Sequence, residues 1–451
     1  MANTTYQYKG IPMRIVFVGA GSHIFTRRLV RDILSFPLLS QATIVLHDID
    51  SERLDHVTFG CQRIIAAGKY AARIESHTNL VDAVRDAHVV ITTIAGPFAQ
   101  WRHDIEIPAK YGIDVNIGDT RGPSGIFRFL RLYPEMRNIG QAIEKHAPTA
   151  LWLNYTNPMA MLCGALSRTC QIPLVGLCHS VQGTAEMLAR WLGAPMDEIT
   201  FTCAGINHMA WYTSFQWNGI DVYPLLRRLM QDNTIYNEEI VRNELFLALG
   251  YYTTESSGHH SEYNWWFRKR PELIEQYCTP GTGWNPGASY AALTWYQAHS
   301  HKWREDAARE RNDPPPVDLT PSHEYAAAII NAWQGGATFQ FNGNVPNRGY
   351  IGNLPQGACV EVPIVVNRRA LHPLNVGELP APVTILTNLS SQVEELAIQG
   401  CLDGNPTLIY QACCHDPLTA ARLSLAEIRT MVNEMFAASQ PWLPQFREYT
   451  V

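Results

Sequence analysis

The sequence predicts an α/β fold, a parallel sheet of nucleotide-binding type followed by an α+β lobe, and three observations carry that expectation. Met13–Val18 (MRIVFV) is a continuous apolar run that reads as a buried strand. Gly19-Ala-Gly21-Ser22 follows it as a tight turn, and Ile24 through Leu34 then carries apolar residues at helical spacing. Thr43–Leu46 is a second apolar strand, and it runs into His47-Asp48. A strand, a glycine turn and a helix in that order bring backbone N–H groups and a helix N-terminus together, which suits a pyrophosphate.

Each element then has a role in that frame. Gly19, Gly21 and Ser22 would line the phosphates of a dinucleotide, making this a Rossmann-type domain. Asp48 would accept hydrogen bonds from the adenosine ribose and repel a 2′-phosphate, which favours NAD over NADP. The third glycine of the GxGxxG pattern is replaced by Ile24, so an ordinary βαβ turn is the alternative. His88–Ile94 is a further strand and ends in Ala95-Gly96-Pro97; Ala150–Leu153 is another and leads to Asn157-Pro-Met. Leu174–Leu177 is a short strand ending in Cys178-His179, and Ser180 opens a helical pattern through Leu192. Side chains at the carboxyl ends of such strands face the ligand crevice. A thiolate and a neutral imidazole there can hold a divalent metal and leave positions open to substrate, although a small buried Cys is an ordinary core residue. Gly205-Ile-Asn-His208 adds a second imidazole.

Composition sets the outer limits. A chain of 451 residues with 46% hydrophobic and 17% charged residues suggests two domains, read as a cofactor domain over residues 1–200 and a substrate domain over 201–451. A net charge of −6 argues against a nucleic-acid surface. The ten cysteines show no pairing framework and no CxxC pair, which points to a reducing cytoplasm. Met1–Pro12 is polar and lacks the apolar core of a signal peptide, and no run of apolar residues is long enough for a membrane span. Further on, the prolines at 314–316 mark an exposed connector, Ser322–Trp333 a helix, and the Asn- and Gly-rich Asn342–Gly357 a loop returning near the site. Val360–Val366 reads as a strand, and Leu418–Phe436 as a helix suited to a subunit interface.

The blocks GAGS (19–22), NIGDTRGPSGI (116–126), NYTNPMA (154–160), GLCHS (176–180), GINHM (205–209) and NLPQGACVEVP (353–363) resemble, in this order, glycoside hydrolase family 4. CHSVQGTAE (178–186) and AGINHMAW (204–211) are most similar to its α-galactosidase branch; the phospho-glycosidase branch typically carries Asp where this chain has His179. The resemblance implies a fold related to lactate and malate dehydrogenases, NAD and Mn²⁺ or another divalent metal as cofactors, and a homodimer or homotetramer. It also implies hydrolysis of an α-glycoside by oxidation at C3, elimination, water addition and re-reduction, outside the two-carboxylate scheme of most glycosidases.

By the same resemblance Cys178 and His208 are metal ligands, and Asn157 binds substrate hydroxyls unless it only forms an Asx turn before Pro158. Tyr263, in His259-His-Ser-Glu-Tyr-Asn-Trp-Trp266, is the expected base at C2; a phenol needs a nearby cation for this, either the metal or Arg268. His179 either protonates the leaving oxygen or binds a hydroxyl. Asp119 either approaches the metal or pairs with Arg121; Arg121 and His260 are expected to bind substrate. Arg268-Lys-Arg270 either faces an anionic C6 group, such as a uronate or sulfonate, or is a solvated surface. Trp101, Trp211, Trp265 and Trp266 are candidate platforms for a sugar ring. A lactate/malate-type dehydrogenase and a non-catalytic NAD sensor are the rival readings.

Overall fold

The computed structural model describes residues 12–278, 287–447 and 449–451, so the reading of Met1–Pro12 falls, except for Pro12, outside the described residues. Six parallel strands come first: β1 (Arg14–Val18), β2 (Thr43–His47), β3 (Arg73–His77), β4 (Val89–Thr92), β5 (Leu151–Asn154) and β6 (Leu174–Gly176). Their spatial order is β3-β2-β1-β4-β5-β6, the order of a dinucleotide-binding sheet. Ile15, Val16, Phe17 and Val18 are almost wholly buried, since helices cover both faces of β1. That is why the strand reads as an unbroken apolar run. Helix α1 (His23–Ser35) follows the glycine turn, and α2 (Ser51–Gly68) starts at Asp50, whose carboxylate caps the N–H groups of Glu52 and Arg53.

The sheet does not stop at β6. Six more strands, β7 (Ile199–Ile206), β8 (Met209–Trp217), β9 (Ile220–Asp221), β10 (Phe339–Pro346), β11 (Cys359–Asn367) and β12 (Ala370–Pro373), extend it by antiparallel pairing. The order runs on from β6 through β10, β11, β7 and β8 to β9, with β12 on β11. The loop expected over Asn342–Gly357 is therefore corrected: Asn342–Pro346 lies within β10. Its asparagines are tolerated because each finds a carbonyl, Asn342 Nδ2 donating to Cys203 at 2.7 Å and Asn344 Nδ2 to Gly176 at 3.3 Å.

The C-terminal helices return to the first half. Ala381–Asp403, Pro406–His415 and Leu425–Ser439 pack on Gly122–His146, Met159–Thr169 and Phe98–Lys110. Phe127, Leu130 and Met136 share one apolar cluster with Val393, Ile409, Met431 and Phe436. The helix expected over Leu418–Phe436 is in fact two, Pro417–Arg422 and Leu425–Ser439, because Ser424 forms a capping box with Glu427. Its apolar face, Ile428, Met431, Val432, Met435 and Phe436, is buried within the chain, which removes the reason for assigning it to a subunit interface. Helix Lys302–Asn312 lies across α1 and α2, where Glu310 pairs with Arg27 at 2.8 Å and Arg63 at 3.0 Å. Among the described residues no helix is long and apolar enough to cross a membrane.

Candidate functional site

The glycine turn after β1 is shaped by contact, not by flexibility alone. Gly19 has φ +86°, and a Cβ there would lie 2.9 Å from Ile94 Cγ2. The Gly21 N–H donates to Asp48 Oδ2 at 2.7 Å, and a Cβ on Gly21 would stand 2.6 Å from that oxygen. Asp48 Oδ1 accepts the Asp50 N–H at 2.9 Å. Ser22 precedes α1 without capping it by its side chain, which leaves the first helical N–H groups to a ligand or solvent. Gly19, Gly21, Ser22 and Asp48 thus come together at one strand edge, and the arrangement suits a dinucleotide.

The second half of the site forms where four chain segments meet. Cys178 follows β6, His208 stands in the β7–β8 turn, Glu255 precedes the helix Ser257–Glu262, His259 lies on that helix, and Asp119 sits in the loop before Gly122–His146. Ligand atoms of Cys178, His208 and Glu255 lie within 4.8 Å of one another, and so do those of Asp119, His208 and His259. His208 belongs to both groups. His208 Nε2 is 3.7 Å from Glu255, while His259 is 3.2 Å from Glu255 and 3.5 Å from Asp119. Two members, His208 at φ +60° and Glu255 at φ +69°, hold the left-handed backbone that non-glycine residues rarely adopt. Such strain persists only where the surroundings impose it, and it gathers at functional sites.

The electrostatics follow from burial. Burial lowers His208 to about 4, keeping the imidazole neutral and able to ligate. For His259 burial works the same way but is outweighed by Glu255 and Asp119, which carry it up to about 9. Burial would raise Glu255, yet His208 and His259 bring it down to about 2. Burial would raise Asp119 as well, yet His259, 3.5 Å away, carries it well below the usual carboxylate range. Burial, with Glu255 and Glu361 adding to it, pushes the Cys178 thiol far up, so a thiolate there calls for a cation. Glu262 fixes the loop carrying Asp119 by accepting the N–H groups of Asn116 (2.7 Å), Ile117 (3.0 Å) and Gly118 (3.0 Å). Ser256 caps the His259 helix.

The other expected residues fall into place unevenly. Tyr263 is 1% exposed, with its hydroxyl 3.2 Å from His208 Nδ1 and the Arg121 guanidinium 4.7 Å over its ring. Arg121, not Arg268, is therefore the cation at this phenol. Arg121 pairs with Glu394 at 3.1 Å and donates to Asn207 O at 2.7 Å, so the pairing with Asp119 that the sequence left open does not form. Arg268 is buried against Asp114, Ser261 and the Gly287 carbonyl, which takes it out of the role of anion-facing surface cation. Asn157 Oδ1 is buried and meets no partner among the described residues, while its carbonyl accepts from Arg128 at 3.3 Å. The Asx turn is instead made by Asn154, whose Oδ1 accepts the Thr156 N–H at 2.9 Å.

His179 is the open member, its side chain 68% exposed and 3.8 Å from Glu324. His260 is turned into the core, its Nε2 near Thr254 O (2.9 Å) and Thr253 Oγ1 (3.0 Å), and the structure does not bring it to the cluster. Trp211 is fully buried and donates to Thr387, so it is a packing residue and not a sugar platform; Trp101 is also core. Sequence reasoning passed over Glu255, His259 and Glu262. The histidine doublet was the only available signal for His259, and nothing in spacing marks an acid on a left-handed loop position.

Residues 14–194 match the family model described as family 4 glycosyl hydrolase, and residues 203–419 match the model of its C-terminal domain. The chain belongs to glycosyl hydrolase family 4. An α-galactosidase of Bacillus subtilis is 36% identical over 439 residues, 96% of this chain and 100% of that protein. An α-galacturonidase of Thermoanaerobacterium saccharolyticum is 28% identical over 95% of this chain and 96% of its own length. A 6-phospho-α-glucosidase from gut microorganisms, solved in complex with NAD and Mn²⁺, superposes with a TM-score of 0.78 at 18% identity, covering 97% of this chain and 100% of that one. Within the family 4 frame, Asp119, Asn157 and Cys178 lie in the first matched segment and His208, Glu255, His259 and Tyr263 in the second. The site is thus assembled from both.

Proposed function

We propose that this family 4 chain is an α-galactosidase-like hydrolase that uses NAD and a divalent cation, in the first instance Mn²⁺. The observation that carries the reading is the convergence of the buried Cys178, His208 and His259 with the half-buried Glu255 and Asp119 at the crevice edge of the dinucleotide-type sheet. The donor set fits such a cation: one thiol, a neutral imidazole and two low-lying carboxylates, with His259 Nε2 3.5 Å from Asp119 beside them. When bound, NAD supplies a hydride acceptor and donor for C3 of the sugar, and the cation supplies Lewis acidity at its hydroxyls.

Cys178 and His208 hold the cation, with Glu255, His259 and Asp119 around them. Asn157 takes a sugar hydroxyl on its free Oδ1. Tyr263 accepts the proton from C2. Burial holds its phenol well above the ordinary range, and Arg121 acts in the opposite direction; a second positive charge in the cluster is what the base requires. His179, at the exposed mouth, protonates the departing oxygen or binds a hydroxyl. Gly19, Gly21, Ser22 and Asp48 bind NAD, within a cofactor domain over 1–200 and a substrate domain over 201–451. A homodimer or homotetramer in the cytoplasm is part of the same reading.

A second reading is an anionic α-hexoside, a galacturonide, glucuronide or sulfoquinovoside. It is favoured by Arg128, which donates to the Asn157 carbonyl and forms no ion pair within 4 Å among the described residues. The test is release of p-nitrophenol from the α-galactoside, α-glucoside, α-galacturonide, α-glucuronide and α-sulfoquinovoside, with NAD omitted or chelator added in parallel. The galactoside should be hydrolysed fastest, and only with both cofactors. Preference for an acid substrate establishes the second reading; release from none returns a dehydrogenase or an NAD sensor.

A further inference from the structure

Glu361 belongs to NLPQGACVEVP, yet the reaction outlined above makes no use of it. Its side chain is 0% exposed, and neither carboxyl oxygen meets a hydrogen-bond partner among the described residues. The position is specific. A row of paired residues, Gly176–Asn344–Glu361–Gly205, crosses β6, β10, β11 and β7. One end of the row lies two residues before Cys178, and the other three residues before His208. Both ends are glycines pressed against neighbours: a Cβ at Gly176 would lie 2.5 Å from Met159 Sδ, and one at Gly205 would lie 2.4 Å from Met209 O. Asn344, beside Glu361 in the row, also has a buried Oδ1 without a partner.

The neighbours of Glu361 along β11, Val360 and Val362, belong to an apolar cluster on the other face. Its carboxyl therefore lies on the face shared with Asn344, where Glu255 and Arg121 act on it and it acts on Cys178. A buried carboxyl left unmet is destabilising, and native proteins keep such groups where a ligand or ordered water meets them. A metal is not that ligand here. Glu255 already brings a carboxylate to the Cys178–His208 pair, and Glu361 is in neither converging group among the described residues.

We infer that Glu361 is a substrate-contacting residue whose carboxyl hydrogen-bonds a hydroxyl of the hexose seated at the Cys178–His208–Glu255 group. The inference rests on the glycosidase reading for the identity of that ligand. Glu361→Leu and Glu361→Gln, made in the full chain with NAD and Mn²⁺ present, test it. Both should keep Mn²⁺ affinity within about threefold by EPR titration, and lose on the order of 100-fold in kcat/KM, as expected when a partner of a buried polar contact is removed. Glu361→Leu should also melt above wild type, by about 3 °C, since an unmet buried polar group is replaced by an apolar one.

Hydrolysis within about threefold of wild type overturns the proposal. So does a loss of Mn²⁺ affinity beyond about tenfold, which would make Glu361 a ligand. A Leu variant that melts below wild type makes Glu361 structural. If wild type hydrolyses none of the panel, the glycosidase reading fails by itself, and the melting order with the Mn²⁺ titration still decides the role of Glu361.

Discussion

His208 is the residue on which the two donor groups depend, and His259 is the residue that separates them. Removing His208 takes a ligand atom from both groups; removing His259 leaves Cys178, His208 and Glu255 intact. In an EPR titration, His208→Ala should therefore abolish measurable Mn²⁺ binding. His259→Ala should weaken it by about 10- to 100-fold, the usual effect of a group that orients and charges its neighbours. Wild-type affinity in His259→Ala would remove the Asp119–His259 pair from the metal site. The same logic explains why His259 sits so high: two carboxylates within 3.5 Å offset the cost of burying an imidazolium.

At the scale of the element, helix Lys302–Asn312 is held on α1 and α2 by charge more than by apolar contact. Ala307 is its only buried residue. Glu310 serves Arg27, Arg63 and His56 together, Arg304 pairs with Glu52 at 3.0 Å, and Arg53 lies 4.7 Å over the Trp303 ring. Glu310→Ala leaves Arg27 beside His56 without its acid, which should cost about 1–3 kcal/mol. The loss should appear as faster amide exchange in this helix and faster proteolysis at the connector 313–317 that follows it. Unchanged exchange would mean that the helix is held by something other than Glu310.

For the whole molecule, two sets of buried groups oppose each other in pH. Burial, then Arg27, lowers His56 to about 4, and burial also lowers His47 and His88. These histidines are neutral when folded, so the unfolded chain binds more protons, and their contribution is lost as pH falls from 6.5 towards 4. Burial raises Glu394 to about 7, against the opposite pull of Arg121, and raises Asp416 as well. There the folded chain binds more protons, so stability is lost as pH rises from 4.5 through 7. In chelator the melting temperature should pass through a maximum between these limits and decline on both sides. A continuous rise to pH 8 would contradict the assignment of Glu394 and Asp416 as raised acids.

Much of this protein could be read from its sequence because the decisive signals are local. An apolar strand buried on both faces, a glycine turn and an acid at the end of the next strand fix the parallel sheet, since each depends only on chain neighbours. Cys178 was legible as chemistry for a similar reason, since it ends a short apolar run, whereas His208 was legible only through the resemblance carried by its GINHM block. The tertiary structure alone decided the remainder of the site. Glu255 and His259 reach His208 only because β7 and β8 fold back beside β6 through β10 and β11, and that path depends on long-range antiparallel pairing. The sequence left open whether Arg121 pairs with Asp119; packing sets it against Tyr263 and Glu394. Arg268, in a basic run that suggests a surface, became a buried partner of Asp114. A sequence records which groups a chain carries and their local spacing, whereas the distance between charges set by segments 50 or 150 residues apart is determined only when the core closes.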